Sequence, residues 1–244
     1  MAVPLRILPI DWAGRSKSAE RMDKMTKIAR EPLSDRAYDE ILKGMTDGTF
    51  APMQPMVIRN LADSFGISAT PIREALQRLT AERLLVQLPN RSIVVPQMTV
   101  ERFNHLLPMR VALEGMAAEL ATPFFSDEDF VKMDDLITRI AETTLTFDAR
   151  TYLKLNREFH FSIYEKAGNP ELLLVIQGLW LKVGPVFNGL FDADHYREHA
   201  NDEHRNIIAA MKRRDAVAAR EAMADDLKLA AQALLPRLSR NPAD

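Results

Sequence analysis

The strand signal of this chain is confined to one place, LLVQL at 84–88 and SIVVP at 92–96, joined by Pro89-Asn90-Arg91. Two β-prone runs across so short a turn read as a hairpin, and a lone hairpin cannot bury a core of its own. The fold must therefore be mainly α, with the hairpin attached to helices. Ala37, Ile41, Leu42 and Met45 recur at helical spacing, and Gly48 closes the run. Pro52 and Pro55 mark a loop, Ile58–Phe65 forms a short second helix, and Gly66 supplies a turn. Ser68 suits an N-cap and Pro71 a first helical turn. Ile72, Ala75, Leu76 and Leu79 then make one apolar stripe in a helix running to Arg83. Three helices followed by a hairpin make a winged helix-turn-helix over residues 35–96.

From Thr99 to Leu238 the pattern is helical almost throughout. Helices are expected near 99–121, 127–146, 148–167, 170–190, 195–213 and 215–235. Breaks fall at Pro123-Phe124-Phe125-Ser126, around Phe147, at Gly168-Asn169-Pro170, around Asp192–Asp194 and at Arg214-Asp215. This is an all-α bundle of six to seven helices over 99–238, joined to the winged helix through Pro96–Val100. Residues 1–34 mix Pro, Gly, Ser and charge without a sustained period, and read as an N-terminal arm.

A formal net charge of −2 over 244 residues looks wrong for a nucleic-acid binder until it is divided by region. Residues 1–34 carry seven Lys/Arg against four Asp/Glu, 35–95 seven against seven, and 96–244 18 against 23. An acidic C-terminal body can conceal a DNA-facing surface, because what matters is where the cations sit. Composition alone gives DNA binding no support. The absence of cysteine excludes disulfides and thiolate metal sites and suits a cytoplasmic protein. The most apolar late run, LLLVIQGLWLKVGPVF from Leu172, is interrupted by Gln177, Lys182 and Pro185, so no membrane span is expected. Arg6 and Asp11 interrupt the apolar N-terminal stretch, which therefore lacks a signal-peptide core.

In a helix-turn-helix the second helix lies in the major groove, and its first residues reach base edges and phosphates. That chemistry needs small polar residues at the helix start and a guanidinium about one turn in. Ser68, Thr70 and Arg73 provide them, with Arg73 able to fork onto guanine O6 and N7. Arg59 opens the preceding helix within reach of a phosphate, and Arg91 tips the hairpin beside Asn90. The competing interpretation is structural: Ser68 and Thr70 cap the helix while Arg73 pairs with Glu74 or another neighbour. The register of helix, tight turn, helix and hairpin favours the DNA-reading arrangement.

The stretch LADSFGISATPIREALQRLTAERLLV resembles the DNA-binding domain of the GntR superfamily of bacterial repressors. MRVALEGMAAELA (109–121), NREFHFSIYEKAGNPELL (156–173), EHRNIIAAM (203–211) and DAVAAREAM (215–223) resemble the helical effector domain of its FadR-like branch, the FCD domain. Several positions depart from the family pattern. Ala69 stands where the family has a base-reading Arg, which puts the operator sequence in question. Arg83 replaces a Gly, the wing tip Gly-x-Gly is Asn90-Arg91-Ser92, and a Pro-Gly is Pro52-Met53.

Asn156 and His160 lie four apart on one helical face, while His204 and Asp226 stand on two later helices. From spacing alone these are core or surface polar residues. The resemblance implies more, because many FCD domains hold a divalent metal through an Asp, a His four residues on, and one His on each of two later helices. Here Asn156 replaces the Asp and Asp226 the last His, a set that still suits Zn, Ni or Mn. The alternative is a metal-free hydrogen-bonded site. Arg110 and Glu114, also four apart, read either as an intrahelical ion pair or, as the resemblance implies, as a site where Arg110 meets an effector carboxylate.

The resemblance implies a homodimeric DNA-binding transcriptional regulator, more often a repressor, on double-stranded DNA with a palindromic operator. Its helical domain would take a small carboxylate, on a divalent metal where one is present. A metal-dependent enzyme using His160, His204 and Asp226 is the rival, against which stands the lack of a nucleophile constellation. A helical interaction module whose winged helix contacts protein is the third reading.

Overall fold

The computed structural model describes residues 32–191 and 194–239, so the expected arm over 1–34 lies almost wholly outside the described residues. The first helix, α1 (Leu33–Thr46), buries Ala37, Tyr38, Ile41 and Met45 along one face. It packs on α3 (Ala69–Ala81), which contributes Ile72, Ala75, Leu76 and Leu79. Between them α2 (Ile58–Phe65) ends as anticipated at Gly66, whose φ of 65° is left-handed. The N–H of Ile67 turns back to the Ala62 carbonyl at 3.1 Å. A Gly there closes the helix without the steric cost that a Cβ brings.

The hairpin forms in the expected place but is short: β1 (Val86–Gln87) pairs antiparallel with β2 (Ile93–Val94), Val86 facing Val94. Sequence reading missed a third extended piece. The stretch between Pro52 and Pro55 lies along the free side of β2, with Met53 N–H on Val95 O at 2.9 Å and Met56 N–H on Ile93 O at 2.8 Å. Its prolines suggest a loop, yet an edge position tolerates them because only one side of the segment needs donors.

The helical domain runs α4 (Val100–Ala121), α5 (Asp127–Thr146), α6 (Ala149–Lys166), α7 (Pro170–Val183), α8 (Asn188–Phe191), α9 (Asp194–Lys212) and α10 (Ala216–Leu234). Starts are set by side chains that accept from the exposed first-turn N–H groups. Thr99 caps α4, Asp148 α6, Asn169 α7 and Asp215 α10. Ser126 and Asp129 form a reciprocal capping box on α5. A second apolar cluster, separate from that of the winged helix, fills this bundle around Phe103, Tyr152, Phe159, Trp180 and Met211.

The helix expected over 170–190 is broken. It ends at Val183, a 3-10 turn takes Gly184–Val186, and α8 follows. Pro185 has no N–H to continue the ladder. Gly184 also sits against α1: a Cβ there would lie 2.3 Å from the Met45 carbonyl oxygen and 2.8 Å from Thr46 Cα. Leu181, one turn earlier, packs against the winged-helix core.

Along α4, Leu106, Met109, Leu113, Met116 and Leu120 recur at alternating steps of three and four. Met109, Met116 and Leu120 are exposed, and Leu106 and Leu113 are half-buried against the bundle.

Candidate nucleic-acid interface and candidate metal centre

The leading turn of α3 projects outward: Ser68, Ala69, Thr70 and Arg73 are all exposed. Ser68 has the extended backbone of an N-cap, but its side chain makes no cap hydrogen bond, so the capping alternative does not account for its hydroxyl. Arg59 and Arg91 are exposed too, and among the described residues none of Arg59, Arg73 and Arg91 has a carboxylate within ion-pair range. Asn90 is different. Its Oδ1 accepts from Ser92 N–H at 3.0 Å, so the side chain shapes the hairpin tip.

One arginine of the winged helix is tied to two carboxylates. Arg78 lies over the Tyr38 ring at 3.9 Å and pairs with Glu82 at 3.1 Å and Asp35 at 3.4 Å. This clasp joins α1 to the far end of α3. Asp35 and Glu82 are thus engaged there, while Arg59, Arg73 and Arg91 remain unpaired near the α3 leading turn and the hairpin, with Glu74 exposed beside Arg73. An open groove of about 310 Å³ runs between α3 and the hairpin, with Arg73, Gln77 and Arg91 on its walls. Gln77 was not singled out from the sequence. Its position one turn after Arg73 was the available signal.

In the helical domain His160, His204 and Asp226 meet although they lie on α6, α9 and α10. Their ligand atoms all fall within 4.8 Å of one another. His160 Nε2 is 3.5 Å from Asp226 Oδ2 and His204 Nε2 3.7 Å from Asp226 Oδ1. All three are buried, as is Asn156 one turn ahead of His160. Asn156 Oδ1, His204 Nε2 and Asp226 Oδ1 have no hydrogen-bond partner. Buried polar atoms left this way are costly unless something satisfies them.

The surrounding bonds fix where the protons sit. Asn201 Nδ2 donates to Ile137 O at 3.4 Å, which turns its Oδ1 toward His204 Nδ1, also 3.4 Å away. His204 therefore carries its proton on Nδ1 and leaves Nε2 bare. The Tyr164 hydroxyl donates to Glu114 Oε2, so its oxygen accepts from His160 Nδ1 at 3.2 Å, and His160 Nε2 is bare as well. Burial, with His204 and Arg110 nearby, holds His160 well below the usual histidine range. Burial and Arg205 take His204 down to about 3. Burial pushes the Asp226 carboxyl up to about 8, against the pull of Arg110 and with Glu114 and Glu203 adding to the rise. Two neutral imidazole lone pairs thus face one carboxyl, at separations longer than good hydrogen bonds. The donor set fits a divalent metal, with second-row partners on both imidazoles of the kind that orient metal ligands.

Arg110 and Glu114 differ from one expectation. Arg110 Nε donates to Glu114 Oε1 at 2.6 Å and Nη2 to Oε2 at 3.2 Å, and both side chains are buried. Trp180 Nε1 also donates to Glu114 Oε2 at 3.1 Å. Burial opposes the charged guanidinium, but Glu114 outweighs it and the Arg110 pKa is raised. The fork expected to receive an effector carboxylate already holds one from the same helix. Tyr164, Trp180 and Asn201 were not assigned polar roles from the sequence. Tyr164 lies four residues after His160 and Asn201 three before His204, so helical spacing carried the signal for both.

Residues 33–95 match the family described as bacterial regulatory proteins, gntR family. Residues 105–229 match the family described as FCD domain. The HTH-type transcriptional regulator McbR of Escherichia coli (strain K12) is 27% identical over 202 residues, covering 82% of this chain and 91% of McbR. A solved structure titled E. coli McbR/YncC superposes with a TM-score of 0.79 at 26% identity, over 85% of this chain and 99% of that one. A Paenarthrobacter nicotinovorans protein named Probable D-xylose utilization operon transcriptional repressor is 26% identical over 205 residues, covering 83% of this chain and 89% of its own. No helix among the described residues is long and apolar enough to cross a membrane. The chain belongs to the GntR family of bacterial regulatory proteins, as a FadR-like DNA-binding transcription regulator with an FCD domain behind its winged helix.

Proposed function

We propose that this regulator represses transcription as a homodimer on a palindromic operator. Ser68, Thr70 and Arg73 read bases in the major groove, and Arg59 and Arg91 hold phosphates. The observation that carries the reading is the outward leading turn of α3, with all three arginines unpaired. Ala69 removes one cation from that turn, which leaves Arg73 as its main base-reading group. Arg73→Ala should weaken operator binding by ~1–3 kcal/mol, measured by fluorescence anisotropy on the chain's own upstream DNA. Unchanged affinity would refute the role of Arg73.

The helical domain takes a small carboxylate together with a divalent metal, Zn, Ni or Mn, held by His160, His204 and Asp226 with Asn156 as the added oxygen donor. Bound there, the ion supplies a Lewis-acid site for a carboxylate oxygen. The effector regulates only if it binds one dimer geometry more tightly than the other.

The α4 stripe supports the dimer. Counted from Leu113, its residues fall at −7, −4, 0, +3 and +7, a spacing that nearly repeats when the helix is reversed. Such a stripe can pack on its own copy about a two-fold axis, and its alternating steps suit helix-on-helix packing.

A further inference from the structure

The bare Nε2 of His160 depends on groups that are not themselves among the candidate ligands. Left to itself in water, a neutral histidine carries its proton on Nε2 more often than on Nδ1. Here that tautomer would place a hydrogen between His160 and Asp226 and remove the electron pair. What holds the proton on Nδ1 is the Tyr164 oxygen at 3.2 Å. The Tyr164 oxygen accepts only because its own proton is spent elsewhere. Met223 Sδ lies 3.8 Å from the hydroxyl, but the Glu114 carboxylate is the stronger acceptor and takes it. Glu114 is in turn fixed by the Arg110 fork and by Trp180.

We infer that Arg110, Glu114 and Tyr164 form a hydrogen-bond relay that sets the tautomer of His160, and that they serve the cluster as positioning residues. The order follows from donor and acceptor inventories. Arg110 and Trp180 have only protons to give, and Glu114 has only lone pairs. Tyr164 can therefore do nothing but donate to Glu114 and accept from His160. A chain built this way has one allowed direction, and it ends with a lone pair aimed at Asp226. This explains why so much polar apparatus is buried in an otherwise apolar bundle, and why the Arg110 fork is closed by its own helix. The consequence for metal affinity rests on the reading of the cluster as a metal site. The tautomer does not.

Tyr164→Phe keeps the ring and removes the acceptor. In metal-free parent protein, nitrogen-15 resonances of His160 should show Nδ1 protonated and Nε2 bare. In Tyr164→Phe the proton should move to Nε2. The parent spectrum alone is decisive if the variant folds poorly, because an Nε2-protonated His160 in the parent overturns the relay. Added Zn2+ forms the second measurement. The parent should bind it about 10- to 100-fold more tightly than Tyr164→Phe. Should neither protein bind Zn2+ while the tautomer still reverses, the relay stands and the metal reading falls. An unchanged tautomer in a folded Tyr164→Phe protein sinks the relay, whatever the metal does.

Discussion

Asp226 and its two histidines make the metal-free protein's stability depend on pH in a defined way. The Asp226 carboxyl is raised from 3.8 to about 8. Between those values the folded chain keeps a proton that the unfolded chain has lost, so stability falls as pH rises toward 8. His204 is lowered from 6.5 to about 3, and His160 is lowered as well. Below 6.5 the unfolded chain binds protons at both positions that the folded chain refuses, so stability is lost on acidification. Two histidines outweigh one carboxyl there, and the optimum set by these groups lies near pH 6.5. Thermal unfolding from pH 5 to 9 should show it. Zn2+ should stabilise most above pH 8, where Asp226 needs no proton displaced. A metal-free optimum above pH 8 would contradict the assigned shifts. At this scale the sequence revealed Asn156 and His160 through their spacing, but not the burial that turns Arg110 and Glu114 from a surface-type pair into a closed fork. Spacing specifies which residues can touch, while burial depends on three other helices.

The hairpin and the segments flanking it carry a cost the element could have avoided. Met53, Arg83 and Arg91 adopt φ of 62°, 59° and 68°, the left-handed region in which a side chain costs about 1 kcal/mol or more. At Met53 and Arg83 the resemblance points to glycine, while Arg91 stands between the two glycines of the family's wing tip. Two departures from a glycine are therefore backbone strain, and Arg91 adds a third left-handed bend at the hairpin tip. Met53→Gly should raise stability by up to about 1 kcal/mol without altering operator affinity. Arg91→Gly should stabilise similarly but weaken operator binding and lower the salt slope by about one. Chemical denaturation and anisotropy across a salt series measure both. An Arg91→Gly protein that binds like the parent would remove Arg91 from the interface. The two strands were legible because β-branched residues alternate with turn signals. The extended piece at 53–56 was not, because Pro52 and Pro55 speak only about local donors and its partner is forty residues away. The break at Gly184-Pro185 was written in the sequence but outvoted by the apolar run around it.

For the whole molecule, the split between one short hairpin and a long helical remainder was readable from periodicity, and two separate apolar clusters correspond to it. Which surfaces stay open was not readable, since an apolar helical stripe looks the same whether it faces its own bundle or another copy. Met116→Lys tests the α4 seam. Introducing two charges across a two-fold contact should give a monomer by analytical ultracentrifugation with unchanged helicity, and reduce affinity for a full palindrome at least tenfold. A dimer that survives the substitution would place the seam elsewhere. Met45 and Thr46 meet Gly184 backbone to backbone, leaving no rotamer at that point to act as a cushion. Trp180 and Phe187, on either side of it, border the Arg110 guanidinium at 5.3 and 5.4 Å. Any shift of those rings that moved Gly184 would meet the carboxyl end of α1 directly, because a joint without side chains has nothing soft in which to lose it.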